Sequence, residues 1–297
     1  MDKGNTKLTR ARREKNDEFY TQKKDIEKEL IHYHKHLKDK IVYCNCDDYR
    51  KSKFVEYFME NFEKIGLKKL ISTGFSKDGQ GTYSEYDGTV FKTGFLKGNG
   101  DALGEECTEI LKQADVVITN CPFSIFRKYV SHLMKYGKKF LIIGNKNAIT
   151  YKEIFPYIKD NELWLGITNP DEYRLPNGEI TQSVKGLCRW FTNIPHNRRN
   201  TPLDLYKKYS ADEYPKYDNY NAINVDKSAD IPMDYDGVMG VPITFFDKYC
   251  PAQFEIVGIT ENAEYLKPLY LDGCEKYDRP YVNGKRMYSR LLIRRKK

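Results

Sequence analysis

The sequence predicts an α/β fold in which a mostly parallel sheet carries helices on both faces. Apolar runs of strand length are separated by amphipathic helical patterns, and the clearest of these runs are residues 41–45, 70–73, 115–119 and 140–144. Buried strands that alternate with helices are typical of parallel sheets covered on both sides. Polar residues follow two of the runs, at 45–48 and 120–123. We expect both segments at the carboxyl edge of the sheet, where such folds bind ligands.

The first half of the chain supplies most elements of this sheet in order. Residues 1–15 are basic and lack periodicity, which predicts an arm, whereas residues 23–37 have a helical pattern. Residues 76–100 are rich in glycine, aspartate and lysine, which predicts a hairpin inserted around residues 89–91. Further helices are predicted at residues 54–62, 107–113, 126–136 and 151–158.

The second half changes character near residue 195. Strands predicted at residues 162–167 and 184–192 complete the core. Residues 196–236 are polar and rich in asparagine, aspartate, tyrosine and lysine, and short strand-like stretches return after residue 238. The sequence therefore predicts a core domain at residues 1–195 and, at residues 196–297, a C-terminal region whose elements pack on the core.

Composition narrows the class of protein. The 297 residues are 40% hydrophobic and carry a net charge of +8, which favours a globular protein with a polyanionic partner. Seven cysteines without a C-x-x-C pair argue against a disulfide framework and against structural zinc, so no metal is predicted. Neither a signal segment nor a run of transmembrane length is apparent, which predicts a cytoplasmic protein without a membrane partner.

The clearest chemical signal is the Asn-Cys-Pro-Phe segment that directly follows the strand at residues 115–119. The Asn120 side-chain oxygen and the Cys121 backbone carbonyl can accept the two hydrogens of an amino group. Holding both hydrogens favours a tetrahedral nitrogen and frees its lone pair. Pro122 stiffens the turn, and Phe123 offers a face for stacking a base taken out of a duplex. The pattern predicts methyl transfer to the exocyclic amino nitrogen of adenine, with these four residues as the catalytic loop.

Several segments together resemble one protein family. They are residues 15–21, 42–48, 140–147, 190–193 and 235–242, together with the Asn120 loop. In these segments the chain resembles the EcoRI-type family of adenine-specific DNA methyltransferases. The resemblance implies a Rossmann-like S-adenosylmethionine-dependent methyltransferase fold, S-adenosylmethionine as the methyl donor, and double-stranded DNA with the target adenine flipped out. The order of segments is similar to the gamma arrangement, in which a target-recognition region follows the catalytic core.

The resemblance also implies roles for individual residues. It places four residues at the methionine end of the cofactor: Asn16, Phe19, Tyr20 and Thr21. It places Asp47 beside the amino-acid or ribose part of the cofactor and makes Asp101 an acceptor for the cofactor's adenine amino group. Asn45 and Asn120 complete the expected cofactor contacts. Trp190, with Phe123, is expected to shape the pocket for the target base.

Two departures from the family pattern and several alternatives stand beside this interpretation. Cys121 occupies the position where the general pattern has proline, and the first strand ends without the Gly-x-Gly of cofactor loops.

Arg198 and Arg199 are the candidates for DNA contact. The alternatives are an RNA or protein-glutamine methyltransferase and a non-catalytic nucleic-acid-binding module. A cognate restriction endonuclease is a further partner that the family implies, without a stable complex; an orphan modification enzyme would have none.

Overall fold

The computed structural model describes residues 20–174, 180–181, 186–260, 262–274 and 279–296. The predicted basic arm and the candidate residues Asn16 and Phe19 lie outside the described residues.

The chain divides into two compact units. The first contains Met1–Ala148 and Leu163–His196, and the second contains Ile149–Glu162 and Asn197–Lys297. The sequence-based division placed residues 149–162 in the core domain, whereas the structure groups them with the C-terminal residues.

The first unit, within its described residues, contains helices and strands in alternation. Its α-helices are α1 (Lys23–Leu30), α2 (His34–Leu37), α3 (Lys53–Glu60), α4 (Phe62–Ile65), α5 (Glu105–Gln113) and α6 (Phe126–Lys135). Its strands are β1 (Tyr20–Thr21), β2 (Ile41–Asn45), β3 (Lys69–Gly74), β4 (Thr82–Tyr86), β5 (Phe91–Phe95), β6 (Val116–Thr119), β7 (Lys139–Asn145), β8 (Trp164–Leu165), β9 (Tyr173–Arg174), β10 (Ile180–Thr181) and β11 (Cys188–Thr192). A 3₁₀ helix, Lys146–Thr150, follows β7.

The central sheet has eight strands in the order β5-β4-β3-β2-β6-β7-β11-β8. Its four middle strands, β3, β2, β6 and β7, are parallel to one another. The hairpin β4–β5 extends one side in antiparallel fashion, and β11 and β8 extend the other. The predicted α/β class, with a sheet that is parallel at its centre, is therefore confirmed.

Burial explains why these segments form strands and helices. Val42, Tyr43 and Cys44 of β2 are fully buried, as parallel strands covered on both faces require. Helix α3 begins after Ser52, whose hydroxyl accepts hydrogen bonds from two backbone N–H groups of its first turn. Its apolar face joins the core of the first unit.

Several predicted elements differ from the observed ones in their bounds. The helix predicted at residues 54–62 is interrupted at Asn61, whose φ of −109° and ψ of 11° are not helical, so α3 and α4 are separate. The helix predicted at residues 151–158 begins only at Phe155, because Pro156 occupies its first turn and is favoured there. The strand predicted at residues 162–167 contains only Trp164–Leu165.

Helix α1 holds a distant loop of the first unit through a buried carboxylate. Glu29 is fully buried. Its oxygens accept hydrogen bonds from the backbone N–H groups of Ile167 and Thr168, at 2.8 and 2.6 Å, and from the Thr168 hydroxyl at 2.6 Å. The Tyr33 hydroxyl donates a fourth bond at 2.8 Å. A buried carboxylate is stable only when it is paired or hydrogen-bonded in this way.

A second carboxylate lies one helical turn earlier. Asp25 accepts hydrogen bonds from the backbone N–H groups of Asp171 and Glu172, at 2.8 and 2.9 Å. The loop that both carboxylates hold leads directly into β9, which pairs with β1. Helix α1 therefore stabilises a small sheet, β1-β9-β10, that contains part of the segment expected to bind the cofactor.

The second unit is built around a smaller sheet. Its described elements are α7 (Phe155–Lys159), α8 (Ala263–Leu266), β12 (Ile223–Asn224), β13 (Met239–Pro242), β14 (Phe254–Ile259), β15 (Tyr281–Val282), β16 (Lys285–Arg286) and β17 (Arg290–Arg295), with 3₁₀ helices at Asn197–Asn200, Ser228–Asp230, Ile243–Lys248 and Lys267–Leu269. The sheet order is β12-β13-β17-β14, and β15 and β16 form a separate hairpin. Buried tyrosines, Tyr217 and Tyr220, and aliphatic residues such as Leu292 form its core.

Candidate active site

The carboxyl ends of β2 and β6 lie side by side. The two strands are parallel neighbours, with Tyr43 opposite Val117. The hydroxyl of Thr119, the last residue of β6, donates a hydrogen bond to the backbone carbonyl of Asn45, the last residue of β2, at 2.8 Å. The structure therefore brings together the two polar strand-end segments at 45–48 and 120–123, as the sequence predicts.

The Asn45 side chain is fully buried and holds a neighbouring loop. Its amide nitrogen donates to the Ala102 carbonyl at 3.3 Å, and its side-chain oxygen accepts from the Thr73 hydroxyl at 3.1 Å. This contact fixes the loop of Asp101 next to β2. The Asp101 carboxylate is exposed and accepts a hydrogen bond from the backbone N–H of Leu103 at 3.0 Å. Asn45 thus acts as a brace, and Asp101 presents an acceptor to solvent.

Cys46 makes the sharp turn at the end of β2. Its φ is 105°, in the region that favours glycine. The backbone N–H groups of Cys46 and Asp47 both donate to the Thr73 carbonyl, at 3.1 and 2.7 Å, which stabilises the turn. The absence of Gly-x-Gly in the sequence is therefore compensated by a cysteine held in a strained conformation, and such strain is concentrated at functional sites.

Three glycines let backbone segments approach closely beside this turn. A Cβ at Gly74 would lie 2.7 Å from the Asp48 Cα, and one at Gly81 would lie 2.7 Å from the Gly100 Cα. A Cβ at Gly100, whose φ is +79°, would lie 2.4 Å from the Gly74 carbonyl oxygen. These contacts leave no room for side chains, so the backbone itself forms this part of the edge.

Replacing Gly100 with alanine is expected to destabilise the protein. The added Cβ meets a backbone oxygen that cannot rotate away, so we expect the free energy of unfolding to fall by about 2–4 kcal/mol. Gly273→Ala is the matched control, because Gly273 has the same φ of +79° and nothing within 4 Å of its Cβ position. It should cost only about 1 kcal/mol, for the backbone conformation. Urea denaturation of both variants measures the difference, and equal losses would contradict the close approach.

The predicted catalytic loop, residues 120–123, connects β6 to α6. Asn120 and Pro122 are half-buried, and the Pro122 carbonyl accepts a hydrogen bond from the Ile125 N–H at 3.1 Å, which closes the turn. The Cys121 side chain is buried, and burial raises the pKa of its thiol. A buried, protonated thiol is a poor nucleophile, which agrees with a role for the Cys121 backbone only. Phe123 is 9% exposed and belongs to the core cluster.

Asp47 points into the protein. It is 8% exposed, and one carboxyl oxygen accepts from the Ser52 hydroxyl at 2.6 Å, while the other lies 2.5 Å from the Thr119 hydroxyl. Burial raises the pKa of Asp47 to about 6, and the hydrogen bonds from Ser52 and Thr119 act in the opposite direction. The predicted contact with the cofactor is therefore not the arrangement that the side chain adopts here.

The segment expected at the methionine end of the cofactor is described only from Tyr20. The backbones of Tyr20 and Thr21 pair with β9. The Thr21 side chain is 3% exposed, and its hydroxyl has no hydrogen-bond partner among the residues that the structure describes. Buried hydroxyls are normally hydrogen-bonded, so a partner for this one lies outside the described residues.

Trp190 lies in the core of the first unit. It is 0% exposed, and its ring meets that of Phe54 edge-on with centroids 6.0 Å apart. This burial leaves the indole no free face for a base, so the structure favours a packing role over the predicted part in the target-base pocket.

The two arginines selected for DNA contact differ from each other. Both lie in the 3₁₀ helix Asn197–Asn200 of the second unit. Arg198 is exposed, whereas Arg199 is half-buried and donates to the backbone and side-chain oxygens of Asn161. Arg199 therefore ties the segment at residues 149–162 to the rest of its unit, and Arg198 is the more accessible cation.

Two further features of the described ranges concern metal binding and membrane insertion. Among those residues, no group of three or more histidine, cysteine, aspartate or glutamate side chains is arranged to hold a metal ion. Within the same part of the chain, no helix is long and apolar enough to cross a bilayer.

Known proteins resemble this chain over nearly its whole length. The family described as "Adenine-specific methyltransferase EcoRI" matches residues 7–94 and 90–296. The chain is 43% identical to the Type II methyltransferase M.EcoRI of Escherichia coli, with 99% of this chain and 97% of that protein covered. It is 38% identical to M.MgeORF184P of Mycoplasma genitalium and 36% identical to M.MpnI of Mycoplasma pneumoniae, with 97% of this chain and 98% of each relative covered. No solved structure matches the chain.

Proposed function

Because the chain belongs to the EcoRI-type family of adenine-specific methyltransferases and is a DNA adenine methyltransferase, we propose that it transfers the methyl group of S-adenosylmethionine to N6 of an adenine flipped out of duplex DNA. The observation that carries this mechanism is the hydrogen bond from the Thr119 hydroxyl to the Asn45 carbonyl. It joins the end of β6, which leads into the proposed catalytic loop, to the end of β2, where we expect the cofactor. Since the relatives are named Type II methyltransferases, we further propose a role in site-specific modification, either beside a cognate restriction endonuclease or as an orphan enzyme.

We propose that S-adenosylmethionine binds at the carboxyl edge of the central sheet, with Thr21 of the β1-β9-β10 sheet as a further contact. Bound there, it would supply an electrophilic methyl group on a sulfonium, a good leaving group. The buried Thr21 hydroxyl suits a polar group of the ligand, and the exposed Asp101 carboxylate suits an amino group. The turn at Cys46 and the closely packed glycine backbone at Gly100 leave main-chain atoms at this edge as the proposed contacts for the ligand.

The catalytic loop acts on the adenine amino group. The Asn120 side-chain oxygen and the Cys121 carbonyl accept its two hydrogens, which weakens conjugation of the lone pair with the ring. No strong general base is needed, so the protein contributes orientation and fixed dipoles. The buried Cys121 side chain anchors the loop in the core. Phe123 is the proposed stacking residue, and stacking requires that its ring become more exposed than the 9% observed here.

We propose that the second unit contacts DNA through the β15–β16 hairpin. Lys285 and Arg286 are exposed, and neither forms an ion pair with any residue in the described ranges. Tyr288 is 86% exposed, which is unusual for an aromatic side chain. Asp218 fixes the tip by accepting from two backbone N–H groups, those of residues 283 and 284, at 3.0 and 2.7 Å. A hairpin whose tip is held by Asp218, with two exposed cations that form no ion pair within the described ranges and an exposed ring nearby, suits phosphate and base contacts.

Removing the two hairpin cations is expected to weaken DNA binding and its dependence on salt. For the double variant Lys285→Ala/Arg286→Ala, the slope of the logarithm of the DNA-binding constant against log salt should become less negative by about two. Each phosphate contact contributes about −0.9 to that slope. Arg198→Ala should lower it by about one if Arg198 also contacts a phosphate. Lys112→Ala is the control, since its ammonium is paired with Glu109 in the first unit. Fluorescence anisotropy with a DNA duplex at several salt concentrations measures the slopes. An unchanged slope in the double variant would remove the hairpin from the interface.

Substrate choice separates the proposed function from its alternatives. Incubation with labelled S-adenosylmethionine and, in turn, duplex DNA, RNA and a glutamine-containing protein should label DNA alone. Label in RNA or protein would favour the other methyltransferases, and binding of DNA without transfer to any of the three would favour a non-catalytic module.

A further inference from the structure

We propose that Asp47 is a positioning residue whose carboxyl group, acting through the Thr119 hydroxyl, fixes the strand end that carries Asn120. This inference rests on the proposed function of Asn120. It differs from the role that the family resemblance implied for Asp47, because it assigns the side chain to the catalytic loop and not to the cofactor.

The contacts of Asp47 connect three elements of the first unit. The Ser52 hydroxyl donates to one carboxyl oxygen at 2.6 Å and itself accepts two backbone N–H groups at the start of α3. The other carboxyl oxygen lies 2.5 Å from the Thr119 hydroxyl, which donates to the Asn45 carbonyl at 2.8 Å. The carboxyl group therefore links α3, the end of β2 and the end of β6. Thr119 directly precedes Asn120, so a movement of its side chain is passed to the catalytic loop.

The protonation state of Asp47 decides whether the oxygens of Asp47, Thr119 and Asn45 can all be hydrogen-bonded. The Thr119 hydroxyl carries one hydrogen but lies within hydrogen-bond distance of two oxygens, those of Asn45 and Asp47. A neutral Asp47 satisfies both, because it donates to Thr119 and leaves the Thr119 hydrogen for the carbonyl. An ionised Asp47 competes with the carbonyl for that single hydrogen. In Asp47→Asn, the side-chain amide N–H would donate to the Thr119 hydroxyl, as the neutral carboxylic acid does.

The surroundings of Asp47 favour the neutral form up to about pH 6. The titratable groups that face it are uncharged, because desolvation inside the protein raises the pKa of each; they are the buried Cys44, Cys121 and Tyr129 and the half-buried Cys46. Within the described residues, no cation is among the groups that shift the pKa of Asp47, which burial raises to about 6. A carboxyl with a raised pKa stabilises the fold below its unfolded pKa, and that stability is lost as pH rises through about 6.

Three substitutions test the positioning role by separating kcat from cofactor affinity. Asp47→Ala and Thr119→Val should each lower kcat by at least about tenfold, because the catalytic loop loses its support, while the Kd for S-adenosylmethionine changes by less than about twofold. Asp47→Asn should recover most of the kcat that Asp47→Ala loses. Thr192→Val is the matched control: Thr192 is also fully buried in the sheet and donates to a neighbouring carbonyl, that of Phe140, but lies on β11. It should leave kcat near the wild-type value.

Two outcomes of these substitutions would overturn the positioning role of Asp47. A loss of cofactor affinity in Asp47→Asn as large as that in Asp47→Ala would overturn the proposal in favour of direct cofactor contact. An equal loss of kcat in Thr192→Val would also overturn it, since any disturbance of the sheet would then suffice. If Asp47→Ala does not fold, Thr119→Val and Asp47→Asn decide the question.

A pH series supplies a readout that does not depend on activity. The Tm of the wild-type protein should fall relative to that of Asp47→Asn as pH rises from about 4 to about 6 and stay level above that, since only the wild type acquires a buried charge. Parallel Tm curves would overturn the proposed network. An inactive wild-type protein with the expected Tm difference would instead locate the failure in the proposed function.

Discussion

Replacing Asn120 with alanine is expected to reduce methyl transfer by about 10²–10³-fold, because one of the two acceptors for the adenine amino hydrogens is removed. The side chain is half-buried in the loop after β6 and does not contribute to the core clusters, so the fold should persist. We expect unchanged cofactor affinity and an unchanged Tm. Single-turnover transfer of a labelled methyl group to duplex DNA measures the effect.

Asn120→Asp is the companion variant, because it retains a side-chain acceptor at the same position. It should keep more activity than Asn120→Ala. Near-normal turnover of Asn120→Ala would show that the loop is not the catalytic one. A large drop in cofactor affinity would show that Asn120 serves the cofactor more than the amino group.

Replacing Glu29 with alanine is expected to have the largest effect on stability. The substitution leaves two backbone N–H groups, the Thr168 hydroxyl and the Tyr33 hydroxyl without the carboxylate that they share. Breaking such a buried network costs about 3–5 kcal/mol in the free energy of unfolding. We also expect faster hydrogen exchange at the amides of Ile167 and Thr168, because the loop before β9 is released. Denaturant unfolding and exchange measurements check both effects.

Glu27→Ala is the control on the same helix, since Glu27 is exposed and contributes no hydrogen bond to that loop. It should change stability by less than about 0.5 kcal/mol. Similar losses in both variants would mean that helix α1, and not the Glu29 network, accounts for the effect. Unchanged hydrogen exchange at the amides of Ile167 and Thr168 in Glu29→Ala would directly contradict the role of the Glu29 network in holding this loop.

The central sheet could be predicted from the sequence because its signal is local. The apolar runs at β2, β3, β6 and β7 alternate with amphipathic helices, and the polar residues after β2 and β6 mark the edge where ligands bind. The proposed catalytic loop could be selected in the same way, since its residues are consecutive. Family membership followed from short segments that the comparisons then supported over nearly the whole chain.

Features that depend on contacts between distant residues could not be predicted. The bond from Thr168 to Glu29 joins positions 139 apart, and nothing near either residue indicates the other. The same holds for Asp47, whose partner Thr119 is 72 positions away. The strained φ of Cys46 also lacks a signal, because glycine is the residue that such a turn normally indicates.

The role of Trp190 and the unit to which residues 149–162 belong could not be predicted from local sequence pattern. An aromatic residue on a strand packs in a core or lines a pocket with the same local sequence, and only its full burial against Phe54 separates the two roles. The helical pattern near residue 155 likewise gives no indication of which unit it joins. The contact of Arg199 with Asn161 shows the answer, because it lies within the second unit.

The central claim is that this chain methylates N6 of adenine in duplex DNA, and the product nucleoside tests it most directly. The protein would be incubated with labelled S-adenosylmethionine and duplex DNA, and the DNA would then be digested to nucleosides and separated. We predict that the label is found in N6-methyladenine and is absent when Asn120→Ala replaces the wild-type protein. Label in a cytosine derivative, or no label in DNA although the cofactor binds, would contradict the account.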